Sequence, residues 1–234
     1  DNAELAWSNL GYCDDAMSSY PDACRQLADR LAQAVHLTSN DSLLDLGCGQ
    51  GASLLHWQQH YHVQHIEAVE LQASCVIQIQ KHLPQLAAIH QRSFLNLKQI
   101  QFKSGFDVVL CIDAAYHSNL NSFLDSVESV LNSKGRLGFH YLMLSEQWLN
   151  LTSLQKKKYR WLLKAADVNL NNLMTESVLK QTLQTYDFED IEIRDLSEAV
   201  LQGFANYFQQ LLQHATGLDA FKIRMTAKLC HKLY

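Results

Sequence analysis

The sequence predicts an α/β protein: a doubly wound, mostly parallel sheet with helices on both faces. Three observations predict it. Leu43 to Leu46 is a short apolar run of the kind a buried strand shows, and it breaks into Gly47, Gly49 and Gly51 before Ala52 to Trp57 reads as a helix. Further strand-like runs (66–70, 87–91, 106–113 and 136–142) then alternate with segments of helical period. The length, 234 residues, suits one ordinary α/β domain with some additions, residues 1–234 as a single unit.

The glycine-bearing stretch organises the rest. Glycine permits backbone conformations and close approaches that a Cβ would block. The helix start that follows offers unpaired N–H groups and a positive dipole end. The stretch is therefore a nucleotide-type cradle at the carboxyl end of a strand, where open α/β sheets bind ligands. Gly47, Gly49 and Ala52 also satisfy the dinucleotide pattern G-x-G-x-x-G/A, which is weak by itself. Asp45 separates the readings: two residues before the first glycine it suits a cationic ligand, whereas it would repel a pyrophosphate on the same loop. Glu70, ending the run Ile66 to Glu70, suits hydrogen bonds from two ribose hydroxyls, a feature that NAD and S-adenosylmethionine share. Asp45 favours S-adenosylmethionine.

LDLGCGQG (44–51) followed by AVEL (68–71) resembles motif I and its partner in class I S-adenosylmethionine-dependent methyltransferases. The resemblance runs from about Trp7 to about Leu196 and is most specific over residues 43–51 with Glu70. It implies that Asp45, Gly47, Cys48, Gly49, Gly51, Glu70 and Leu71 bind the cofactor, with the glycines along its methionine and ribose part and Glu70 on the ribose. A tight turn without a ligand is the plain alternative, and it leaves the destabilising cost of three glycines unexplained.

Composition sets the outer limits. Lys plus Arg number 19 against 24 Asp plus Glu, a net charge of −5, which is a poor footprint for DNA or RNA. No apolar run approaches membrane-spanning length, so no membrane partner is expected. Six scattered cysteines include no C-x-x-C pair, which reads as reduced thiols in a cytoplasmic protein. No signal-peptide pattern opens the chain, and because Asp1 is no initiator the natural start is expected upstream.

In chain order, residues 1–36 begin with an aromatic lead (Trp7, Tyr12, Tyr20) and continue, from Pro21, into a helix with Cys24, Leu27, Ala28, Leu31 and Val35 at helical spacing. Small-molecule methyltransferases place such a segment as a helical cover, which makes the three aromatics candidate substrate-binding residues. Hydrophobic anchoring of a terminal helix accounts for them equally well. After Glu70, residues 72–82 form a helix that stops before Pro84. The strand 87–91 leads to a loop where, by the resemblance, Ser93 and Phe94 contact adenine.

The run 106–113 ends in Asp113-Ala114-Ala115-Tyr116-His117, which the resemblance places at the transferring methyl. Asp113 is read with the cofactor, Tyr116 with the substrate, and His117 as a general base whose ordinary pKa lies near neutrality. A histidine that only bonds the cofactor or shapes the pocket is the other reading of His117. Asn119 or Asn121 caps a helix carrying Phe123, Leu124, Val127, Val130 and Leu131, and Lys134-Gly135 ends it. The fifth strand, 136–142, brings His140 as reserve base and Tyr141 as a substrate contact, although alternation lets only one of the two face the cleft.

Residues 145–172 are a helical insertion after that strand, which family members use as a lid. Trp148, Leu151, Leu154, Trp161, Leu162 and Ala165 form its apolar stripe, with Lys156 to Lys158 and Arg160 on a solvated face. A helix over 175–186, a sixth strand over 188–196, a helix from Ser197 carrying Leu201, Phe204, Phe208, Leu211 and Leu212, and a last helix over 219–234 complete the chain. The family's usual last strand has no candidate, so the chain continues past Tyr234 or the sheet edge is incomplete.

His56 and His60 are spaced as a metal pair, but no carboxylate or cysteine completes a set, so a polar helix end is expected and no metal. G-x-S-x-G and a Walker lysine are absent. The expected activity is methyl transfer from S-adenosylmethionine to the O, N or C atom of a small molecule by in-line displacement, with a homodimer left open. Two alternatives share residues 43–51: a cofactor-binding partner subunit without transfer activity, and an enzyme using S-adenosylmethionine for non-methyl chemistry.

Overall fold

The computed structural model describes residues 5–14, 19–211 and 217–234. Parts of the expected cover (1–4 and 15–18) and Leu212 lie outside the described residues. Five strands, β1 (Ser42–Leu46), β2 (His65–Glu70), β3 (Ala88–Gln91), β4 (Phe106–Cys111) and β5 (Leu131–Phe139), form one sheet of order β3-β2-β1-β4-β5. Every pairing is parallel. The order reverses beside β1, so the carboxyl ends of β1 and β4 flank the crevice where such sheets take ligands.

Alternation sends neighbouring side chains to opposite layers. Leu43 and Val108 enter one core with Ala28, Leu31, Leu54 and Ile79, and Leu44 and Val109 enter a second with Phe123, Leu124 and Val127. The first layer is built by helices α1 (Tyr20–Ala34), α2 (Ala52–Gln59) and α3 (Ala73–His82). The second is built by α4 (Leu120–Glu128) and α6 (Glu176–Thr185). Ser19 caps α1 by accepting from the Asp22 N–H at 3.3 Å with Pro21 in the first turn, and Asn119 caps α4 by accepting from Ser122 N–H at 3.2 Å.

Three expectations on element limits change. Helix α4 stops at Glu128, and Asn132 to Gly135 loop out between Leu131, which pairs with Phe106, and Arg136, which pairs with Val108. Lys134 takes a positive φ of 64° there, so Lys134-Gly135 forms a bulge inside β5 and not the end of the helix. The sixth strand is not formed. Phe188, Ile191 and Ile193 do pack on the second core, which accounts for the alternation, but no ladder joins that stretch to the sheet among the described residues. The segment before α7 (Gly203–Leu211) is a π turn, Glu198–Gln202, and α8 (Leu218–Leu233) packs on α7 through Phe204, Phe208, Ala220 and Ala227. No helix among the described residues is long and apolar enough to cross a membrane.

Candidate functional site

The site begins where β1 runs out. Gly47, Gly49 and Gly51 have φ of +68°, +55° and +88°, a region that side chains resist. The Gly47 N–H donates to the Val69 carbonyl at 2.8 Å, tying the loop to β2. A Cβ on Gly51 would lie 2.6 Å from Ile79 Cγ1, and one on Gly49 would lie 2.5 Å from Ser8 Oγ. Glu70 braces the same loop: Oε2 accepts from the Gly49 N–H at 2.9 Å and Oε1 from the Gln72 N–H at 2.8 Å. Each oxygen keeps a lone pair for a further donor.

Asp45 is 1% exposed. Its Oδ2 accepts from Ser53 Oγ at 2.8 Å and Trp57 Nε1 at 2.7 Å, while its Oδ1 is buried without a partner. Burial pushes the carboxyl up to about 6; the Trp57 and Ser53 bonds oppose the rise and Glu70 adds to it. A buried acceptor left unmade costs on the order of 1–3 kcal/mol, so this oxygen is suited to a donor from outside the chain. It lines a cavity of about 80 Å³, together with Gly47 and Cys48 of the loop, Trp7 and Ser8 of the lead, and Asp113 at the end of β4.

At that second wall, Asp113 follows β4 with a φ of +53°. Its Oδ1 accepts from the Tyr116 hydroxyl at 2.7 Å and its Oδ2 from the Leu10 N–H at 2.9 Å. Desolvation raises its pKa from the ordinary carboxylate value, against the pull of Tyr116, Leu10 and His117. Tyr116 is pushed up in turn by burial and by the Asp113 charge.

The two histidines expected as bases are not brought to this cavity. The turn Ala115–His117 swings His117 to the surface, where its Nδ1–H donates to the Asp167 carbonyl at 3.0 Å. That bond holds the insertion and leaves the ring outside the cavity wall. His140 donates its backbone N–H to the Cys111 carbonyl, and its Nδ1 is buried without a partner. Burial holds its ring down to about 4, so it stays neutral and is a weak base. Tyr141 points to the opposite layer and donates its hydroxyl to the Asn172 carbonyl, so it is a strut and not a wall of the cavity.

The aromatic lead divides in the same way. Trp7 lines the cavity and sets its ring edge against His56, 6.0 Å between centroids. Tyr12 lies under the Arg30 guanidinium at 3.9 Å, and Tyr20 donates to the Asn9 carbonyl while packing on Phe208. These two anchor the lead. Leu71 is exposed beside Glu70. Ser93 caps the next turn by accepting from the Leu95 N–H at 3.2 Å, and the Phe94 ring lies 3.7 Å from where a Gly47 Cβ would stand. His56 holds Asp29 at 2.6 Å and stacks on His60, which accounts for the histidine pair at the α2 end.

A family model described as a methyltransferase domain matches residues 18–193, three quarters of the chain. The chain belongs to the methyltransferase-domain family. Among its relatives is erythromycin 3''-O-methyltransferase of Saccharopolyspora erythraea, 24% identical over 225 residues that cover 90% of this chain and 71% of that protein. A cyclopropane synthase from Mycobacterium tuberculosis shares the fold at a TM-score of 0.73 and 16% identity, with 96% of this chain and 85% of the other covered. So does geranyl diphosphate C-methyltransferase from Streptomyces coelicolor, solved with S-adenosyl-L-homocysteine, at 0.69 and 13%, covering 97% and 86%.

The methyltransferase uses S-adenosylmethionine, and its own residues fit that cofactor. The unpartnered Asp45 oxygen suits the ligand's cationic groups, the glycine loop leaves the space a Cβ would fill, and Glu70 has lone pairs for hydroxyls. Sequence reasoning missed Ser8 and Asn9, the Ser53–Trp57 pair that orients Asp45, and the bond between Asp113 and Tyr116. Ser53 and Trp57 did carry a signal: four residues apart on α2, they share one face directly after the loop.

Proposed function

We propose that this methyltransferase O-methylates a small molecule, with Asp113 as the group that receives the acceptor's proton. The observation that carries the reading is the Asp113 carboxylate, half-buried, of raised pKa, and in one cavity with the unpartnered Asp45. When bound, S-adenosylmethionine supplies an electrophilic methyl on a sulfonium, already a good leaving group. Asp45 and Glu70 hold and orient it. Asp113 takes the proton a hydroxyl sheds as its oxygen is alkylated, and Tyr116 keeps the carboxylate aimed. The lead, by covering the cavity, excludes water and so strengthens these charge interactions. The relative that acts as an erythromycin 3''-O-methyltransferase supports a hydroxyl acceptor on a small molecule. Residues 5–14 and the insertion 145–172 serve as the cover and lid of the site. The six unpaired thiols support a cytoplasmic setting.

Calorimetry with S-adenosylmethionine, its demethylated product and NAD, followed by labelled-methyl transfer into a panel of hydroxylated small molecules, examines both halves. The reading expects the first two ligands to bind, NAD to fail, and label to become base-stable ether methyl. Binding without any incorporation would favour a cofactor-holding partner subunit or non-methyl chemistry, and tight NAD binding would end the reading altogether.

A further inference from the structure

Charge is divided unevenly in this chain. Helix α5 (Ser153–Ala165) carries Lys156, Lys157, Lys158, Arg160 and Lys164 with no acid, and α8 carries Lys222, Arg224, Lys228 and Lys232 with Asp219 alone. Nine of the 19 Lys and Arg thus fall on two helices of net +8, and the remainder of a chain of net −5 carries −13. The helices adjoin: Leu233 of α8 packs on the cluster of Leu163, Val168 and Leu173 that lies behind α5.

The sequence placed Leu154 and Trp161 on a buried stripe, and the structure turns them outward. Leu162 and Leu163 face inward, while Leu154 is 78% and Trp161 68% exposed. Seven residues apart, they stand on one face of α5, with Lys157 and Lys158 between them and Lys164 beyond. Phe221 and Met225 stand likewise on α8, followed along the same stripe by Lys228 and Lys232. Among the described residues no carboxylate pairs with Lys157, Lys158, Arg160 or Lys164.

We infer that the outer face of α5, with the cationic α8 adjoining it at Leu233, docks on an anionic lipid bilayer. Three physical points select a bilayer over an acidic protein. The large apolar side chains stand singly between cations, so each can enter a headgroup layer by itself, whereas a protein hot spot needs them gathered against a pocket. Tryptophan with lysine on one helical face is the composition of the membrane interface, where an amphipathic ring and a long cationic stem both find their level. A positive surface on a negative protein is oriented by an anionic leaflet, which draws in this face and repels the rest. Docking there has a consequence for the site: Leu163, on the inner side of α5, shares a cluster with Tyr116, so the bilayer would lie over the wall that carries the Asp113 pair. An amphiphilic acceptor could then pass from lipid to cavity. The inference departs from the expectation of no membrane partner, which rested on the absence of a spanning run. It stands apart from the O-methylation reading, since it concerns a surface outside the cavity.

Sedimentation with vesicles of phosphatidylglycerol and phosphatidylcholine, against phosphatidylcholine alone, examines it at low and high salt. Wild-type protein is expected to sediment with the anionic vesicles only and to be released by salt. Two variants are compared: K157E/K158E/K164E and L154S/W161S, both on the exposed face and both checked for an unchanged fold by circular dichroism and thermal melting. Each is expected to lose roughly tenfold or more in vesicle affinity. Absent binding, equal binding to neutral vesicles, or unchanged binding by either variant overturns the inference. So does retention on immobilised polyglutamate with no vesicle binding, the outcome an acidic protein partner gives.

Discussion

Asp45, buried, and Asp113, half-buried, are two carboxylates on two walls of one cavity, and they are held in opposite ways. Asp45 leans on the framework: Ser53 and Trp57 of α2 fix one oxygen and the other is left unpartnered. Asp113 has both oxygens engaged, by Tyr116 within its own turn and by Leu10 of the lead. The first is a standing electrostatic site, preorganised at a cost to stability. The second depends on a segment 103 residues away in sequence, so its freedom to act is tied to the position of the lead. On the proposed reading, the difference goes with binding at Asp45 and proton transfer at Asp113.

Asp113→Asn should separate the two most sharply. It is expected to lower kcat by about 10²-fold or more, equivalent to about 2.7 kcal/mol or more, with S-adenosylmethionine affinity within about twofold. The wild-type rate should rise with pH through a carboxyl titration shifted up from the ordinary Asp value, since only the ionised form accepts a proton, and this limb should vanish in the variant. A variant with full turnover would remove Asp113 from the mechanism.

Asp45→Asn carries the next largest effect, and it has two opposite signs. Cofactor affinity should fall by about tenfold or more, because the amide cannot offer a charge to a cation. The ligand-free fold should gain stability. With its carboxyl at about 6 against 3.8 ordinarily, the folded state holds the Asp45 proton more tightly than the unfolded chain does, so ionising it at neutral pH costs about 3 kcal/mol. Wild-type stability without ligand should therefore rise as pH falls from 7 towards 4, while cofactor affinity falls below about pH 6. Thermal melts and calorimetry across that range would show the two trends, and the stability trend should be lost in Asp45→Asn.

A cavity of about 80 Å³ is small beside the roughly 300 Å³ or more that ligands of cofactor size occupy, and Ser8 stands over Gly49. On the proposed reading, the lead lifts to admit the cofactor. Removing the Leu10 latch with Asp113→Ala should speed cofactor association several-fold in stopped flow; an unchanged rate would mean that entry does not pass the lead. The smallest effect belongs to His117→Ala, which should leave turnover within about twofold, because its ring serves Asp167 at the surface. A loss near 10²-fold would restore His117 as the base.

The part of this account legible in the sequence is the part that local chain geometry decides. Asp45, the three glycines and Glu70 could be placed because strand, turn and helix start lie within a few residues of one another. The surface position of His117 is not legible in the sequence, because the positive φ at Asp113 and the tight turn after it break alternation past β4, which no periodicity records. The stretch 188–196 reads as a strand because its apolar residues alternate. Alternation reports which side chains are buried, and here Ile191 and Ile193 are half-buried without the backbone joining the sheet. Ser8 and Asn9 gave no signal at all. Their role comes from a chain segment folding back across a loop some forty residues on.

The most direct measurement is calorimetry of S-adenosylmethionine with Asp45→Asn and Asp113→Asn side by side, at pH 7.5, which needs no knowledge of the acceptor. The account predicts a crossed result: affinity lowered by about tenfold or more in the first and within about twofold of wild type in the second. Equal losses in both, or full affinity in Asp45→Asn, would contradict the division of labour between the two carboxylates.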